Sequence, residues 1–229
     1  MNSPAISVVV PVLDEADTLA QSLRPLQSVR GHGVEVIVVD GGSRDRTRCV
    51  ASPLCDRVLD APRGRARQMN TGAAHARGRV LLFLHADTRL PSGWAELVRD
   101  ALGNRGREWG RFDVRLDGAH PMLRVVERAM SLRSRLSGIA TGDQAIFVIR
   151  AAFRAAGGFP DIALMEDVAL SRALRARSRP VCLRATALTS SRRWERNGIA
   201  RTIVLMWRLR LEYALGGDPE RLARLYRGG

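Results

Sequence analysis

Ile6-Ser7-Val8-Val9-Val10-Pro11-Val12-Leu13-Asp14-Glu15 is a nearly continuous apolar run that ends in two acids. A strand with one wet face alternates apolar and polar residues. This run does not, so both of its faces are covered. The pattern returns at Val34–Val39, which ends in Asp40-Gly41-Gly42-Ser43, and at Val80–His85, which leads into Ala86-Asp87. Helical spacing fills the intervals. Asp17 stands where a cap would start a helix bearing Leu19, Leu23 and Leu26. Arg46–Ala51 reads as a second helix, Arg57–Leu59 as a short strand, and Gln68–Arg77 as a small-residue helix stopped by Gly78. Trp94–Leu102 is a further helix after the Pro91-Ser92-Gly93 turn. Strand, helix, strand in this order predicts an α/β fold: a mostly parallel, Rossmann-like sheet with helices on both faces. Ligands of such sheets sit beyond the carboxyl ends of the strands. Asp14-Glu15, Asp40 and His85-Ala86-Asp87 therefore mark the candidate site.

The second half changes character. Trp109–Leu116 alternates, which predicts an antiparallel strand, and Met122–Leu136 reads as a helix with a basic face. Ala145–Ile149 is a strand, Ala169–Arg177 a helix, and Val181–Leu183 and Ala185–Thr189 two short strands. Ala200–Leu215 and Glu220–Tyr226 form a basic helical tail. The expected organisation is one domain over residues 1–197 and a C-terminal helical extension over 198–229. In the extension Ile203, Trp207 and Leu211 share a stripe near Arg201, Arg208 and Arg210. Such a stripe packs on the domain's own core or lies on an anionic membrane surface.

The chain has 229 residues and a net charge of +14, and every one of its 37 basic residues is arginine. Without lysine there is no Schiff-base lysine, no Walker A lysine and no lysine general base. Arginine keeps its charge and grips phosphate with a planar fork. Cys49, Cys55 and Cys182 form no metal-binding or redox pair, and His32, His75, His85 and His120 are scattered. With a strand-like run entered almost at once, no secretory leader is expected, and no apolar run approaches the ~20 residues of a membrane span. The expected location is the cytoplasm, with peripheral contact to the inner membrane face through the basic tail as an option.

Several side chains suit chemistry at this site. Asp40, backed by Gly41 and Gly42, suits a base edge or ribose hydroxyl lying close to the backbone. Asp87 at a strand terminus suits a hard divalent cation held against two phosphates. Of Glu166-Asp167, one acid would face the crevice as general base and the other point away, or both would simply cap the following helix. Gly142-Asp143-Gln144 places short polar groups beside a glycine. Arg192-Arg193-Trp194 offers two guanidinium groups and an indole as a phosphate clamp. His85 reads as a hydrogen-bonded structural histidine or as a contact to metal-bound nucleotide.

In this order the motifs resemble those of the family 2 inverting glycosyltransferases. Val8–Glu15 resembles their P-x-x-N-E opening. Val36–Thr47 resembles their V-D-D-G-S-x-D-x-T segment, with Gly41 where the second Asp usually stands. His85-Ala86-Asp87 is similar to their D-x-D motif with His85 in place of its first acid. Glu166-Asp167 is similar to their E-D motif, and Arg192-Arg193-Trp194 to an R-x-x-R-W element. The finer pattern at residues 142–144, 157–167 and 190–198 is similar to a small bacterial subfamily labelled radical-SAM/selenodomain-associated transferase 2, also named for arsenosugar biosynthesis.

The resemblance implies a GT-A-type nucleotide-diphospho-sugar transferase fold, a nucleotide-sugar donor and Mn²⁺ or Mg²⁺. It implies that Pro11, Leu13 and Glu15 line the nucleotide, and that Asp40 with Gly42 contacts base or ribose. It implies that Arg67 approaches the base or phosphates and that Ala86 borders the donor. Asp87 would ligate the metal, with His85 as a possible second ligand. Asp167 would be the catalytic base, Asp143 would lie near the acceptor, and Arg192, Arg193 and Trp194 would bind substrate. One base without a covalent nucleophile means single displacement with inversion. The expected activity is transfer of a sugar to a hydroxyl or phosphate acceptor. A polyprenyl-phosphate glycosyltransferase at the membrane surface is the neighbouring alternative. An arginine-rich nucleic-acid-binding protein is the alternative of another class, and an aromatic content of 5% leaves it few bases to stack on, so no nucleic-acid partner is expected.

Overall fold

The computed structural model describes residues 5–103 and 106–228. In chain order the first half runs β1 (Ile6–Val12), α1 (Ala16–Leu23), β2 (Val34–Asp40), α2 (Thr47–Ala51), β3 (Arg57–Asp60), α3 (Arg65–His75), β4 (Val80–Phe83), β5 (Thr88–Arg89) and α4 (Trp94–Gly103). The second half runs β6 (Trp109–Leu116), α5 (Pro121–Ser137), β7 (Phe147–Ile149), α6 (Arg150–Ala155), α7 (Glu166–Arg177), β8 (Val181–Thr189), α8 (Arg192–Asn197), α9 (Ile199–Ala214) and α10 (Pro219–Gly228). One sheet orders them β3-β2-β1-β4-β7-β6-β8-β5.

The first four strands in that order are parallel, with Val12 opposite Asp40 and Asp40 opposite Asp60. Beyond β4 the sheet is mixed: β7 is antiparallel to both β4 and β6, and β6 is parallel to β8. The alternating pattern of Trp109–Leu116 thus marks a strand with partners of both senses. The two short strands expected at residues 181–189 are one strand, β8, with a register shift opposite Phe112 and Asp113. Asp17 lies inside the first turn of α1, and Glu15 holds the position before it.

The apolar strands are covered on both faces, as their composition requires. Val8, Val10, Val36 and Val38 pack against Leu19 and Leu23 of α1 and Trp94 and Val98 of α4. Val9, Ile37, Val39 and Phe83 pack against Met69 of α3, Phe153 of α6 and Leu170 of α7. Each such side chain contributes about 1.5–3 kcal/mol on burial. Helix α3 comes unusually close to the sheet because a Cβ at Gly72 would overlap Val9. That closeness lets the Gln68 amide donate to the carbonyls of Val12 at 2.8 Å and Val39 at 2.9 Å. The start of α3 is thereby pinned to the carboxyl ends of β1 and β2.

The amino end of the sheet carries a buried polar knot. The Glu35 carboxylate, on a residue 4% exposed, accepts from Ser7 Oγ and from the backbone N–H of Arg77, both at 2.5 Å, and from Gly78 N–H at 3.2 Å. Burial works against its charge, but the hydrogen bonds from Ser7, Arg77 and Gly78 outweigh burial and hold the carboxyl below its usual value of 4.5. A depressed carboxylate pKa adds stability above the unfolded-state value, lost as pH falls through the folded value. Glu35→Ala should therefore cost on the order of 3 kcal/mol at pH 7 in urea unfolding, because several buried donors lose their acceptor. The stability gap between wild type and Glu35→Gln should narrow below pH 4.5; a gap that stays constant with pH would remove the carboxylate from this account.

Candidate active site

The loops after β1 and β2 brace each other. Asp14 adopts φ 53°, its N–H donates to Ser43 Oγ at 3.0 Å, and its carboxylate accepts from Arg44 N–H at 2.8 Å. Glu15 N–H donates to Thr47 Oγ1 at 2.8 Å. Asp40 is 2% exposed, and its carboxylate accepts from Gly42 N–H, Ser43 N–H and Ser43 Oγ. Its oxygens shape the loop and do not stand free toward the crevice, contrary to the expectation of a direct ribose or base contact. The surface left to a ligand here is the exposed Gly42 backbone and the half-buried Pro11 and Leu13.

His85-Ala86-Asp87-Thr88 forms a tight turn closed by Thr88 N–H donating to the His85 carbonyl at 3.0 Å. Ala86 is buried in it, and its carbonyl accepts from Ser22 Oγ at 2.5 Å. Asp87 stays at the rim. There the Arg192 guanidinium lies 3.6 Å from Glu15 and 3.9 Å from Asp87, linking the ends of β1 and β4. The other two members of the expected clamp face elsewhere. Arg193 stacks over the Tyr226 ring at 3.7 Å and donates to the Tyr226 carbonyl at 3.0 Å. Trp194 packs with Leu116, Leu123 and Ile203. Residues 192–197 are helical, so three consecutive side chains fan around the axis at about 100° intervals and cannot grip one phosphate together.

At the carboxyl end of the sheet lies a small pocket of about 10 Å³, room for roughly one water. Its floor is Met69, Phe83, Ile146 and Phe159, and its polar lining is His85, Gly142, Glu166 and Asp167. Both acids of the pair reach it, although adjacent helical residues were expected to diverge. Met165, immediately before α7, holds a left-handed φ of 71°, at a cost of order 1–3 kcal/mol. Asp167 accepts from Gly142 N–H at 2.8 Å and from its neighbour Val168 N–H at 2.7 Å. Asp143 Oδ1 lies 3.3 Å from His85 Nδ1. Burial opposes the Asp143 charge, but the His85 hydrogen bond and the charges of His85, Arg65 and Arg210 hold its carboxyl below the usual range. Burial and the adjacent Asp167 charge push the Glu166 carboxyl upward, with Arg65, 3.7 Å away, pulling against them.

Gly142 has to be a glycine. A Cβ there would overlap the Nε2–Cε1 edge of His85. With Nδ1 facing Asp143 and the other edge against Gly142, His85 belongs to the acid cluster and is not free as a metal ligand beside Asp87. Among the described residues no three His, Cys, Asp or Glu side chains gather as a cation cage. Asp87 alone still fits a hard cation of the Mg²⁺ type, which is held by one or two carboxylates and takes its other ligands from phosphates and water.

Arg67, expected near the donor, forms a two-oxygen ion pair with Asp161 at 2.8 and 2.9 Å. Arg65 stands at the site instead, facing Glu166. The helix containing both begins at Arg65 rather than Gln68, and residues two apart on a helix point about 200° apart. Arg65 was legible only as one more arginine in an arginine-rich segment.

Comparison with known proteins gives this arrangement a family. The sequence matches the profile of Glycosyl transferase family 2 over residues 7–153, more than half of the chain. It is 32% identical over 148 residues to an uncharacterised glycosyltransferase of Mycobacterium tuberculosis, covering 60% of this chain and 55% of that protein. S. aureus TarS 1–349 in complex with UDP-GlcNAc superimposes with a TM-score of 0.66 at 17% identity, over 81% of this chain and 58% of that one. The mannosyltransferase PcManGT from Pyrobaculum calidifontis, in complex with GDP-Man and Mn²⁺, gives a TM-score of 0.63 at 19% identity, over 82% of this chain and 57% of that one. The chain thus spans little more than half the length of each of these proteins, and the two structural likenesses establish the α/β GT-A fold. The profile match, together with that fold, shows that the chain belongs to glycosyl transferase family 2.

Proposed function

We propose that the chain transfers a sugar from a nucleotide-diphosphate sugar to a hydroxyl or phosphate acceptor, with inversion. The observation that carries this reading is the Asp167 carboxylate, oriented by Gly142 N–H and Val168 N–H in a crevice at the carboxyl end of the sheet. For a hydroxyl acceptor the oxygen attacks the anomeric carbon and Asp167 takes the hydroxyl proton. The bond between that carbon and the phosphate oxygen breaks, and the nucleoside diphosphate leaves with the electron pair. No second nucleophile is needed, so the configuration inverts once.

The neighbouring groups divide the remaining tasks. His85 and Asp143 hold each other at 3.3 Å and keep the loop bearing Gly142 in place. Arg192 adds positive charge at the rim where a diphosphate would depart, and preorganised charge of this kind is usually the largest catalytic term. Asp87 would hold a Mn²⁺ or Mg²⁺ that neutralises the departing diphosphate. The radical-SAM/selenodomain-associated subfamily remains part of this proposal, supported by the Gly142-Asp143-Gln144 and Gly157–Asp167 pattern.

A membrane-surface setting is favoured by a second observation. Ile203 packs inward against the cluster around Leu123, but Trp207 is 73% exposed and Leu211 62% exposed. Residues four apart on a helix drift by about 40°, so the stripe rolls off the core. Val204 and Leu215 continue it outward, and α5 exposes Val125, Leu132 and Leu136. Arg128, Arg135, Arg201 and Arg208 are exposed on the same two helices, a pattern that suits anionic lipid. No helix among the described residues is long and apolar enough to cross a membrane.

Three outcomes check these readings. Asp167→Asn should lower turnover by about 10²–10⁴-fold with donor affinity intact by calorimetry, whereas parallel loss of donor affinity would reassign the residue. Asp87→Ala should abolish the chelator-sensitive part of donor binding, and wild-type donor binding that ignores chelator would end the metal role. Trp207→Ser with Leu211→Ser should remove the chain from sedimented phosphatidylglycerol vesicles at 0.15 M salt, and retention equal to wild type would exclude this face.

A further inference from the structure

The first turn of α7 has a second side. Glu166 and Asp167 line the crevice, while Met165 and Val168 line a separate cavity of about 150 Å³. Three guanidinium groups converge on that cavity: Arg133 from α5, Arg172 from α7 and Arg210 from α9. None of the three has a carboxylate within ion-pair distance among the described residues. Arg172 lies over the Tyr213 ring at 5.2 Å. Arg133 reaches only the Ile139 carbonyl, at 3.4 Å, and its Nε and Nη2 are buried without a partner.

Buried guanidinium nitrogens without acceptors are costly, and native proteins rarely keep them. Burial, with the like charge of Arg210 beside it, pushes Arg133 down to about 10, and burial lowers Arg210 as well. Both remain cationic at neutral pH. The site carboxylates act on the pair: Asp167 favours the charged form of both, and Asp143 that of Arg210. The cavity is about ten times what one water requires, enough for a tetrahedral phosphate. Several planar donor forks around one volume match phosphate oxygens.

We propose that this arginine-lined cavity binds a phosphate group carried by the acceptor and seats the acceptor against the far side of the turn that bears Asp167. The inference rests on the transferase reading above and gives its acceptor a chemical class: a phosphate monoester that also carries the attacking hydroxyl, whose proton Asp167 takes, because the phosphate itself sits in a cavity separate from the crevice. Helices α5 and α9, which supply two of the arginines, also expose Leu132, Leu136, Trp207 and Leu211, so an apolar chain on the phosphate has a surface to lie along.

The test is calorimetry on the full chain at fixed ionic strength, with inorganic phosphate, glucose 6-phosphate and geranyl phosphate as probes and no donor present. At least one of the two esters should bind wild type, and Arg133→Gln and Arg210→Gln should each weaken it about tenfold or more, the loss of one charge-assisted hydrogen bond. Tighter geranyl phosphate supports the site with a lipid source; tighter glucose 6-phosphate supports it with a soluble one. Binding of inorganic phosphate alone would mean an adventitious ion only and would overturn the proposal, as would ester binding that both variants retain. Arg133→Met guards against misfolded variants. It removes a buried unpaired charge, so its Tm should match or exceed wild type, and the ester should raise the Tm of wild type but not of this variant; an equal rise in both overturns the proposal. Nucleoside diphosphate binding is measured alongside. Its absence from wild type would count against the transferase reading and leave the phosphate result standing on its own.

Discussion

The hydrogen bond from Gly142 N–H to the Asp167 carboxylate, 2.8 Å long, joins two stretches that the chain keeps apart. Around it the site assembles. Gly142 can approach only because it lacks a Cβ, and the space so left is filled by the His85 ring. His85 in turn faces Asp143 on the same short loop. The turn after β4, the loop before β7 and the start of α7 are therefore tied together by direct contacts. Met165, left-handed immediately before α7, places backbone strain beside these contacts.

Positive charge is distributed in two distinct ways. Some arginines form ordinary pairs: Arg30, Arg177 and Arg208 meet Asp56, Glu108 and Glu212 at or near the surface, and such pairs contribute little. A few are placed against the acids of the site. Arg65 faces Glu166, Arg192 bridges Glu15 and Asp87, and Arg133 and Arg210 stand behind Asp167. A reaction that expels a diphosphate needs cations arranged before it starts, and arginine cannot lose its charge when buried as lysine can. The absence of lysine is thus compatible with this chemistry, where it would disable others.

The C-terminal helices belong to the site as much as to the periphery. Leu209 and Leu222 pack with Met165 and Val168, so α9 and α10 buttress the turn that carries Asp167. Arg193 ties α8 to Tyr226 from the other side. A substitution in the tail would therefore reach the acids through packing, without touching a ligand.

What residue order alone determined was whatever repeats locally. Continuous apolar runs at Ile6–Val12 and Val34–Val39 meant strands covered on both faces, and helical spacing placed most of the long helices to within a few residues. Acids at strand ends pointed to the edge of the sheet where the pocket lined by His85, Glu166 and Asp167 lies. Elements too short for a period, such as β5, α6 and α8, left no such trace. Direction was also hidden. Arg65 and Arg67 look alike in sequence, and only the start of α3 decides which meets Glu166 and which meets Asp161. Asp40 looked free until its oxygens were found turned into their own loop. Arg193 and Trp194 looked like a clamp until helix geometry sent them to Tyr226 and Leu123. Periodicity is a property of neighbours along the chain, so it can be read there. Which atom faces which depends on segments tens of residues apart closing on one another, and only the packed structure sets that.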